Sequence, residues 1–320
     1  MTPPNQPPCA TAILPFDGPG IARAAELIAA GQPVAVPTET VYGLAADATS
    51  GEAVARIYAA KGRPSFNPLI VHVLDLAAAR SIVAVDAVAE RLAEAFWPGP
   101  LTLVLPALAD GAVADLARAG LPTLAVRAPA HPAMRALLAA YGRPLAAPSA
   151  NASGGISPTT AAHVAASLGG RIPLILDDGP CPVGLESTIV AVGGQGVRLL
   201  RPGPIAAEEI ARVAGVPVRE GGSGGVEAPG QLASHYAPAK PLRLNASEAT
   251  GDEWLIGFGA VAGDETLSES GDPIEAAANL FAALHRADAS KPTRIAVAPV
   301  PDAGVGAAIN DRLARAAAPR

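Results

Sequence analysis

The sequence predicts an α/β protein in two parts, a larger sheet-and-helix domain followed by a smaller one. Three observations carry this reading. Short apolar runs bounded by Pro or Gly alternate with segments whose apolar residues recur at helical spacing. Residues Glu220 to Gly230 are dominated by Gly, with Ser223, Val226, Glu227 and Pro229 among them, which is the composition of a linker. Beyond it the alternation starts afresh, so a small Rossmann-like α/β domain is expected over 241–320. A chain of 320 residues has room for two such domains. The expected division is a disordered tail over 1–15, a first domain over 16–204, a helix and Gly/Pro-rich linker over 205–240, and the second domain.

Taken in order, Ile21, Ala24, Ala25, Leu27 and Ile28 recur at helical spacing and Gly31 supplies a stop, so a helix leads into an apolar strand at Val34. That strand ends at Pro37 and opens into Thr38-Glu39-Thr40, which delivers hydroxyls and a carboxylate to a loop. Strand ends are where α/β proteins place their sites. A helix over Gly51 to Lys61, with Val54, Ile57 and Tyr58 on one face, releases Lys61 and Arg63 at its C-terminal end. They stand close in sequence to Ser65 and Asn67, in a loop marked by Gly62, Pro64 and Pro68. Two cations in such a loop form a candidate anion cradle.

Pro68 to Leu74 reads as a strand apolar on both faces, as in the interior of a covered sheet, and His72 interrupts it. A lone histidine there is ordinarily a core residue bonded to a backbone carbonyl; the nearby Lys61, Arg63 and Asn67 bring a ligand-facing role level with that reading. A helix around Ala87 to Phe96 ends at Trp97-Pro98-Gly99-Pro100, and a strand follows at Leu101 to Leu105. In Leu121 to Arg127, alternation puts Thr123, Ala125 and Arg127 on one face. Arg127 closes an apolar strand and needs a partner: either an ion pair at the strand mouth or a ligand carboxylate gripped by the guanidinium fork.

Small hydroxyl and amide residues interleave with Gly from Ala147 to Thr160, and Ser157-Pro158-Thr159 is expected to begin the following helix, where backbone N–H groups favour phosphate. An ordinary polar loop with an N-cap accounts for the same residues, and no GxxxxGK[ST] occurs in the chain. Asp177 and Asp178 follow the strand PLIL; adjacent side chains on a strand face opposite ways, so they are read as a turn rather than a metal site. Strands at Thr188 to Val192 and Val197 to Leu200 form a hairpin with Glu186-Ser187-Thr188 and Arg201 at one end. After a helix near Ala206 to Ala214 and the linker, strands are expected at Pro241 to Leu244, Trp254 to Phe258 and Arg294 to Ala298. Helices are expected at Ile274 to Arg286 and Val305 to Ala317. Gly257, Gly259 and Gly263 do not match GxGxxG, so no dinucleotide site is expected there.

A net charge of −6 argues against a general nucleic-acid-binding surface, so any anionic ligand has to be met locally. Cys9 and Cys181 have no metal-ligand spacing and suggest a reducing compartment. The N-terminus has no signal-peptide pattern, and no uncharged apolar stretch reaches the roughly 20 residues of a membrane span, so a cytoplasmic location is expected.

Together the motifs resemble the YrdC-like family in its long, two-domain threonylcarbamoyl-AMP synthase form. They are PTETVYGL at Pro37 to Leu44, KxR and SxN over Lys61, Arg63, Ser65 and Asn67, PSANxSG with SPT over Pro148 to Thr159, EST at Glu186 to Thr188, RPG at Arg201 to Gly203, and HYAP at His235 to Pro238. Each is weak alone; their joint order is specific. The resemblance implies a YrdC-like twisted mixed sheet with flanking helices, joined by a linker to the smaller domain. It implies a nucleotidyltransferase that converts L-threonine, bicarbonate or CO2, and ATP into threonylcarbamoyl-AMP and pyrophosphate. The product would pass to the machinery that modifies tRNA to threonylcarbamoyladenosine. The residue chemistry agrees, since in-line transfer at phosphorus needs positioning and charge neutralisation more than a covalent nucleophile.

By the same resemblance, Lys61 and Arg63 would be the catalytic cations. Arg63, Asn67, Thr123, Ser149, Ser157, Arg201 and His235 would bind ATP, and Thr40, His72, Arg127 and Ser187 would surround threonine, with Arg127 on its carboxylate. No protein metal site and no tightly bound organic cofactor are implied; Mg²⁺ would arrive with ATP and keep much of its water. His235 and Tyr236 match a pattern in which the linker covers the pocket. The residues before them, Gln231 to Ser234, depart from it, so a plain tether stays open beside a lid. Two rivals compete: a relative that handles carbamoyl phosphate, disfavoured because no acylphosphatase-like or zinc-finger segment accompanies the motifs, and a double-stranded RNA or tRNA binding module, disfavoured by the acidic balance and few aromatics.

Overall fold

The computed structural model describes residues 10–194, 196–221 and 225–319. The first half of the chain runs β1 (Ala12–Pro15), α1 (Gly18–Ala29), β2 (Val34–Val36), β3 (Gly43–Asp47), α2 (Gly51–Lys61), β4 (Ile70–His72), α3 (Leu76–Ala79), α4 (Ala87–Phe96), β5 (Leu101–Pro106), a 3₁₀ turn, β6 (Thr123–Arg127), α5 (Pro132–Tyr141) and β7 (Leu145–Ala146). It continues through α6 (Ala161–Leu168), β8 (Leu174–Asp177), β9 (Thr188–Gly193), β10 (Gly196–Arg201), α7 (Ala207–Ala214) and β11 (Val218–Glu220). The second domain holds β12 (Leu242–Arg243), β13 (Glu253–Gly257), β14 (Glu265–Thr266), α8 (Pro273–Ala289), β15 (Arg294–Val297) and α9 (Val305–Ala317). Side-chain caps set many of the helix starts: Asp17, Ser50, Asp86, Thr160 and Asp272 each accept from a backbone N–H in the first turn.

Among the described residues, eleven strands form one mixed sheet in the order β1-β8-β2-β3-β7-β4-β6-β5-β9-β10-β11. The pairs β4–β6 and β5–β9 are parallel, whereas β5–β6 and β9–β10 are antiparallel. The smaller sheet, β12-β15-β13-β14, is parallel throughout. That agrees with the Rossmann-like expectation. The second domain's apolar core is not closed on itself: Val41, Ile156 and Leu185 of the first domain pack into the same cluster as Ile256, Phe281 and Ile309. Gly184 makes this approach possible, because at φ 73° a Cβ there would lie 2.5 Å from Ala277 O.

Several expectations need correction. Residues 12–15 are not a disordered tail: they form β1, which pairs in parallel with β8 from Ala12↔Leu174 to Pro15↔Asp177. Sheet-edge hydrogen bonding orders this segment, and Pro is tolerated at such an edge; residues 1–9 lie outside the described set. The helix after Ser157-Pro158-Thr159 starts at Ala161, with Thr160 as its cap, so Ser157 is not at a helix N-terminus. The loop after Pro37 gives way to β3, while α3, α5, β7, β11 and β14 had no expected counterpart. Asp177 is not in a turn but ends β8, and Asp178 follows it outside the strand; Gly179 N–H donates to Asp177 Oδ1 at 3.0 Å.

Candidate active site

The loop from β2 to β3 is folded on Thr38. Its hydroxyl donates to Val41 O at 2.6 Å and accepts from the N–H groups of Thr40 and Val41, each at 3.2 Å. Thr38's proton is then in use, so Thr40 is the donor in the 2.8 Å contact between the two hydroxyls. Parallel register places His72, ending β4, opposite Arg127, ending β6. The Arg127 guanidinium donates to Gly99 O (3.1 Å), Thr40 Oγ1 (3.0 Å) and Glu39 Oε1 (2.5 Å). The strand-mouth ion pair foreseen for Arg127 is thus present, and its partner is Glu39. Burial opposes ionisation of Glu39, but Arg127 outweighs it and holds the carboxyl below its usual range. Burial, with Arg127 adding, pushes His72 down to about 3, so its imidazole is neutral.

Three other buried cations are arranged differently. Gly62 caps α2 in the left-handed region at φ 62° and reverses the chain between Lys61 and Arg63. Lys61 Nζ donates to the carbonyls of Ser149 and Asn151, both at 2.5 Å. Arg63 donates to Asn67 O (3.2 Å) and Pro68 O (2.8 Å). Arg201 donates to Ser187 O, at 3.1 Å from Nε and 2.9 Å from Nη2, and to Ser187 Oγ at 3.1 Å. Among the described residues none of the three has a carboxylate within salt-bridge reach of 4.0 Å. Burial lowers all three, Arg63 to about 10. Carbonyl dipoles hold these charges without cancelling them. Such a group attracts an anion.

A cavity opens among these elements. Thr40, Arg63, His72, Arg127, Ser149, Ser187, Arg201 and His235 line it, which brings together eight of the residues singled out from the sequence. Lys61, Asn67 and Ser157 lie buried behind that lining. The Asn67 amide has no partner on Oδ1 or Nδ2 among the described residues, and the same is true of Nδ1 on His72 and on His235. The Ser157 hydroxyl donates to Glu186 rather than into the cavity. Thr123 stands apart, in a separate concavity beside Val104 and Arg198. Pro229, Gly230, His235 and Tyr236 line the main cavity, so the linker passes over it and is more than a tether.

The sequence reading did not select Glu39, Glu186, Tyr236 or Arg312 as site residues. The first three stand inside quoted motifs. Arg312 carries no local signal, since it meets Glu186 from 126 positions away. Burial opposes ionisation of Glu186, but Arg312 and Arg201 outweigh it.

Comparison with known proteins agrees with this architecture in both domains. A family model described as "Telomere recombination", covering Sua5, YciO and YrdC, matches residues 26–203, and one described as "Threonylcarbamoyl-AMP synthase, C-terminal domain" matches 205–318. Threonylcarbamoyl-AMP synthase of Bacillus subtilis is 42% identical, with 96% of this chain and 95% of the relative covered; that of Pyrococcus abyssi is 40% identical over 92% of each. The crystal structure of P. abyssi Sua5 complexed with L-threonine superposes with a TM-score of 0.86 at 37% identity over 97% of both chains. A doubly substituted P. abyssi Sua5 gives 0.87 at 36% over 96% of both. A mixed sheet with cations at its strand ends, a linker laid across the cavity and both domains matched over nearly their full length lead to one assignment: the chain belongs to the threonylcarbamoyl-AMP synthase family, in its two-domain Sua5 form.

Proposed function

We propose that this protein is an L-threonylcarbamoyladenylate synthase that uses ATP, L-threonine and bicarbonate or CO2. One observation carries the reading: Arg63 and Arg201 line a single cavity with Lys61 buried behind that lining, none of the three has a carboxylate within 4.0 Å among the described residues, and Arg127 and two histidines line the same cavity. The cations are proposed to receive the triphosphate, with Ser149, Asn67 and His235 beside it; the unpaired Asn67 amide and His235 Nδ1 have hydrogen-bonding capacity to spare. Ser157 is given no direct nucleotide contact, because its hydroxyl donates to Glu186. Thr123 keeps a nucleotide role only at the far edge of the site. Thr40, His72, Arg127 and Ser187 are proposed to hold threonine, whose carboxylate would compete with Glu39 for the Arg127 fork.

The reaction balances without a covalent enzyme intermediate. The threonine amine adds to CO2 and loses a proton to give N-carboxythreonine. A carbamate oxygen then attacks the α-phosphorus of ATP, the bond from that phosphorus to the bridging oxygen breaks, and pyrophosphate leaves with the electron pair. Lys61, Arg63 and Arg201 are proposed to stabilise the charge that moves onto the leaving group, from positions fixed in advance by carbonyl groups. Neutral His72 leaves the amine uncrowded by an extra positive charge. Mg²⁺ is proposed to arrive with ATP, held by phosphate oxygens and water. The threonylcarbamoyl adenylate, a reactive mixed anhydride, is proposed to go to a tRNA-modifying transferase. No helix among the described residues is long and apolar enough to cross a membrane.

The test is pyrophosphate release by the purified chain, with threonine and bicarbonate omitted in turn and serine as the control amino acid. Release that requires both and prefers threonine is expected. Release without threonine would point to another acceptor. Salt-sensitive RNA binding with no turnover would favour the binding-module alternative.

A further inference from the structure

The cavity, among the described residues that line it, has one carboxylate set among cations. Glu186 lines it beside Arg201 and His235, where its negative charge would oppose an incoming phosphate. Its neutralising partner comes from the other domain: Arg312 on α9, wholly buried, donates from Nε to Glu186 Oε2 at 2.9 Å. Ser157 donates to the other carboxylate oxygen. Arg312 also bonds Asp311 Oδ2 at 2.7 Å through Nη1, and its guanidinium lies 5.2 Å from the centroid of the Tyr236 ring. One turn on, Arg315 donates to Leu232 O at 2.6 Å, and His235 N–H donates to Arg315 O at 3.2 Å. A single helix of the second domain therefore holds both the pocket carboxylate and the linker that covers the pocket.

We propose that Arg312 is a positioning residue supplied by the second domain, which cancels the charge of Glu186 and so permits nucleotide phosphates to occupy the first domain's cavity. The proposal deepens the synthase reading and rests on it for the identity of the anion. It gives the second domain an electrostatic part in ATP binding without contact with the substrate. The charge count makes the idea separable from packing. Arg312→Met leaves the pocket one negative charge richer, Glu186→Gln leaves it one positive charge richer, and the pair together restores neutrality. Replacing both members of a buried ion pair is tolerated far better than removing one.

The test uses the full chain and follows ATP binding by calorimetry alongside pyrophosphate release. Arg312→Met is expected to weaken ATP binding by about 10- to 100-fold. The double variant Arg312→Met/Glu186→Gln should recover to within about threefold of wild type, since a neutral pair resembles the original balance. Glu186→Gln alone should bind ATP at least as tightly as wild type. A second signature is pH. The groups facing Glu186 are Arg201, Arg312, Ser157, His235 and Tyr236. Without Arg312, burial favours the protonated carboxyl, so the defect should shrink as pH falls from about 8 to about 6. Equal weakening in the single and double variants, with no pH dependence, would show that Arg312 serves packing alone and would overturn the proposal. Wild-type protein that binds ATP but releases no pyrophosphate would instead overturn the synthase reading, while the order of ATP affinities among the variants would still decide the role of Arg312. Absence of ATP binding in wild type would overturn both.

Discussion

Replacing Arg63 by Met separates a functional cation from a structural one. Arg63 is buried and donates to the carbonyls of Asn67 and Pro68, with Tyr58 beside it and no carboxylate within 4.0 Å among the described residues. Two hydrogen bonds from a charged donor are worth roughly 1.5–3 kcal/mol each. Against this, the fall of the guanidinium to about 10 corresponds to roughly 3 kcal/mol spent holding an unpaired charge out of water. Met keeps most of the stem and removes that charge, so the net loss of stability should stay below about 3 kcal/mol. Catalysis has no such offset. A cation about 4 Å from a phosphate oxygen contributes up to about 4 kcal/mol at an effective dielectric constant near 20, and loss of one positioned donor commonly costs about 10²–10³ in rate. The expected outcome is therefore a kcat/KM for ATP lower by about 10²–10³, with a melting temperature lower by only a few degrees. Pyrophosphate release at varied ATP, beside a thermal scan, measures both. Full activity, or a collapse of stability with proportionate loss of activity, would refute the assignment of Arg63 as a cation reserved for the ligand.

Three further outcomes follow from the same geometry. Arg127→Lys keeps the charge but not the fork that reaches Gly99, Thr40 and Glu39 together, so the KM for threonine should rise about 10- to 100-fold with a smaller change for ATP; an unaltered threonine KM would remove Arg127 from that subsite. His72 and His235 stay neutral in the folded chain down to about pH 3, while the unfolded chain takes up protons near 6.5. The unfolded state binds more protons between those values, so each histidine should cost about 1.4 kcal/mol of stability per unit as pH falls below 6.5, and nothing above about 7.5. Thermal scans at pH 7.5 and 5 should then show a smaller drop for His72→Asn/His235→Asn than for wild type; equal drops would contradict the burial of two neutral rings. Gly184→Ala would drive a Cβ to 2.5 Å from Ala277 O and 2.6 Å from Ala278 Cα, at a φ of 73° that L-residues avoid, and should cost about 2–4 kcal/mol; an unchanged melting temperature would mean that α8 does not rest on this turn.

Much of the fold was legible because its signals are local. Val34–Val36, Gly51–Lys61, the β9–β10 hairpin and the helices α8 and α9 each combine a clear apolar period with a cap or turn residue, and those are properties of neighbouring residues. The missed strands are short and depend on partners. Ala12–Pro15 is a strand only because the edge of β8 offers hydrogen bonds, and Leu145–Ala146 only because β3 and β4 flank it. The motif-bearing loops likewise announced Thr40, Arg63, Ser149, Ser187 and Arg201 as residues of one site, since their chemistry is displayed by type and order.

By itself, then, the sequence determined the α/β class, the presence of a second domain after a glycine-rich stretch, and a set of candidate residues of which eight line one cavity. Tertiary structure alone decided how the cations among them are compensated. Arg127 is paired through Glu39, whereas Lys61, Arg63 and Arg201 rest on carbonyls, and no spacing along the chain distinguishes the two conditions. It also decided that Arg312 neutralises Glu186 from another domain. Electrostatic balance in a buried site depends on distances of a few ångströms between residues separated by more than a hundred positions, and only the packed chain sets those distances.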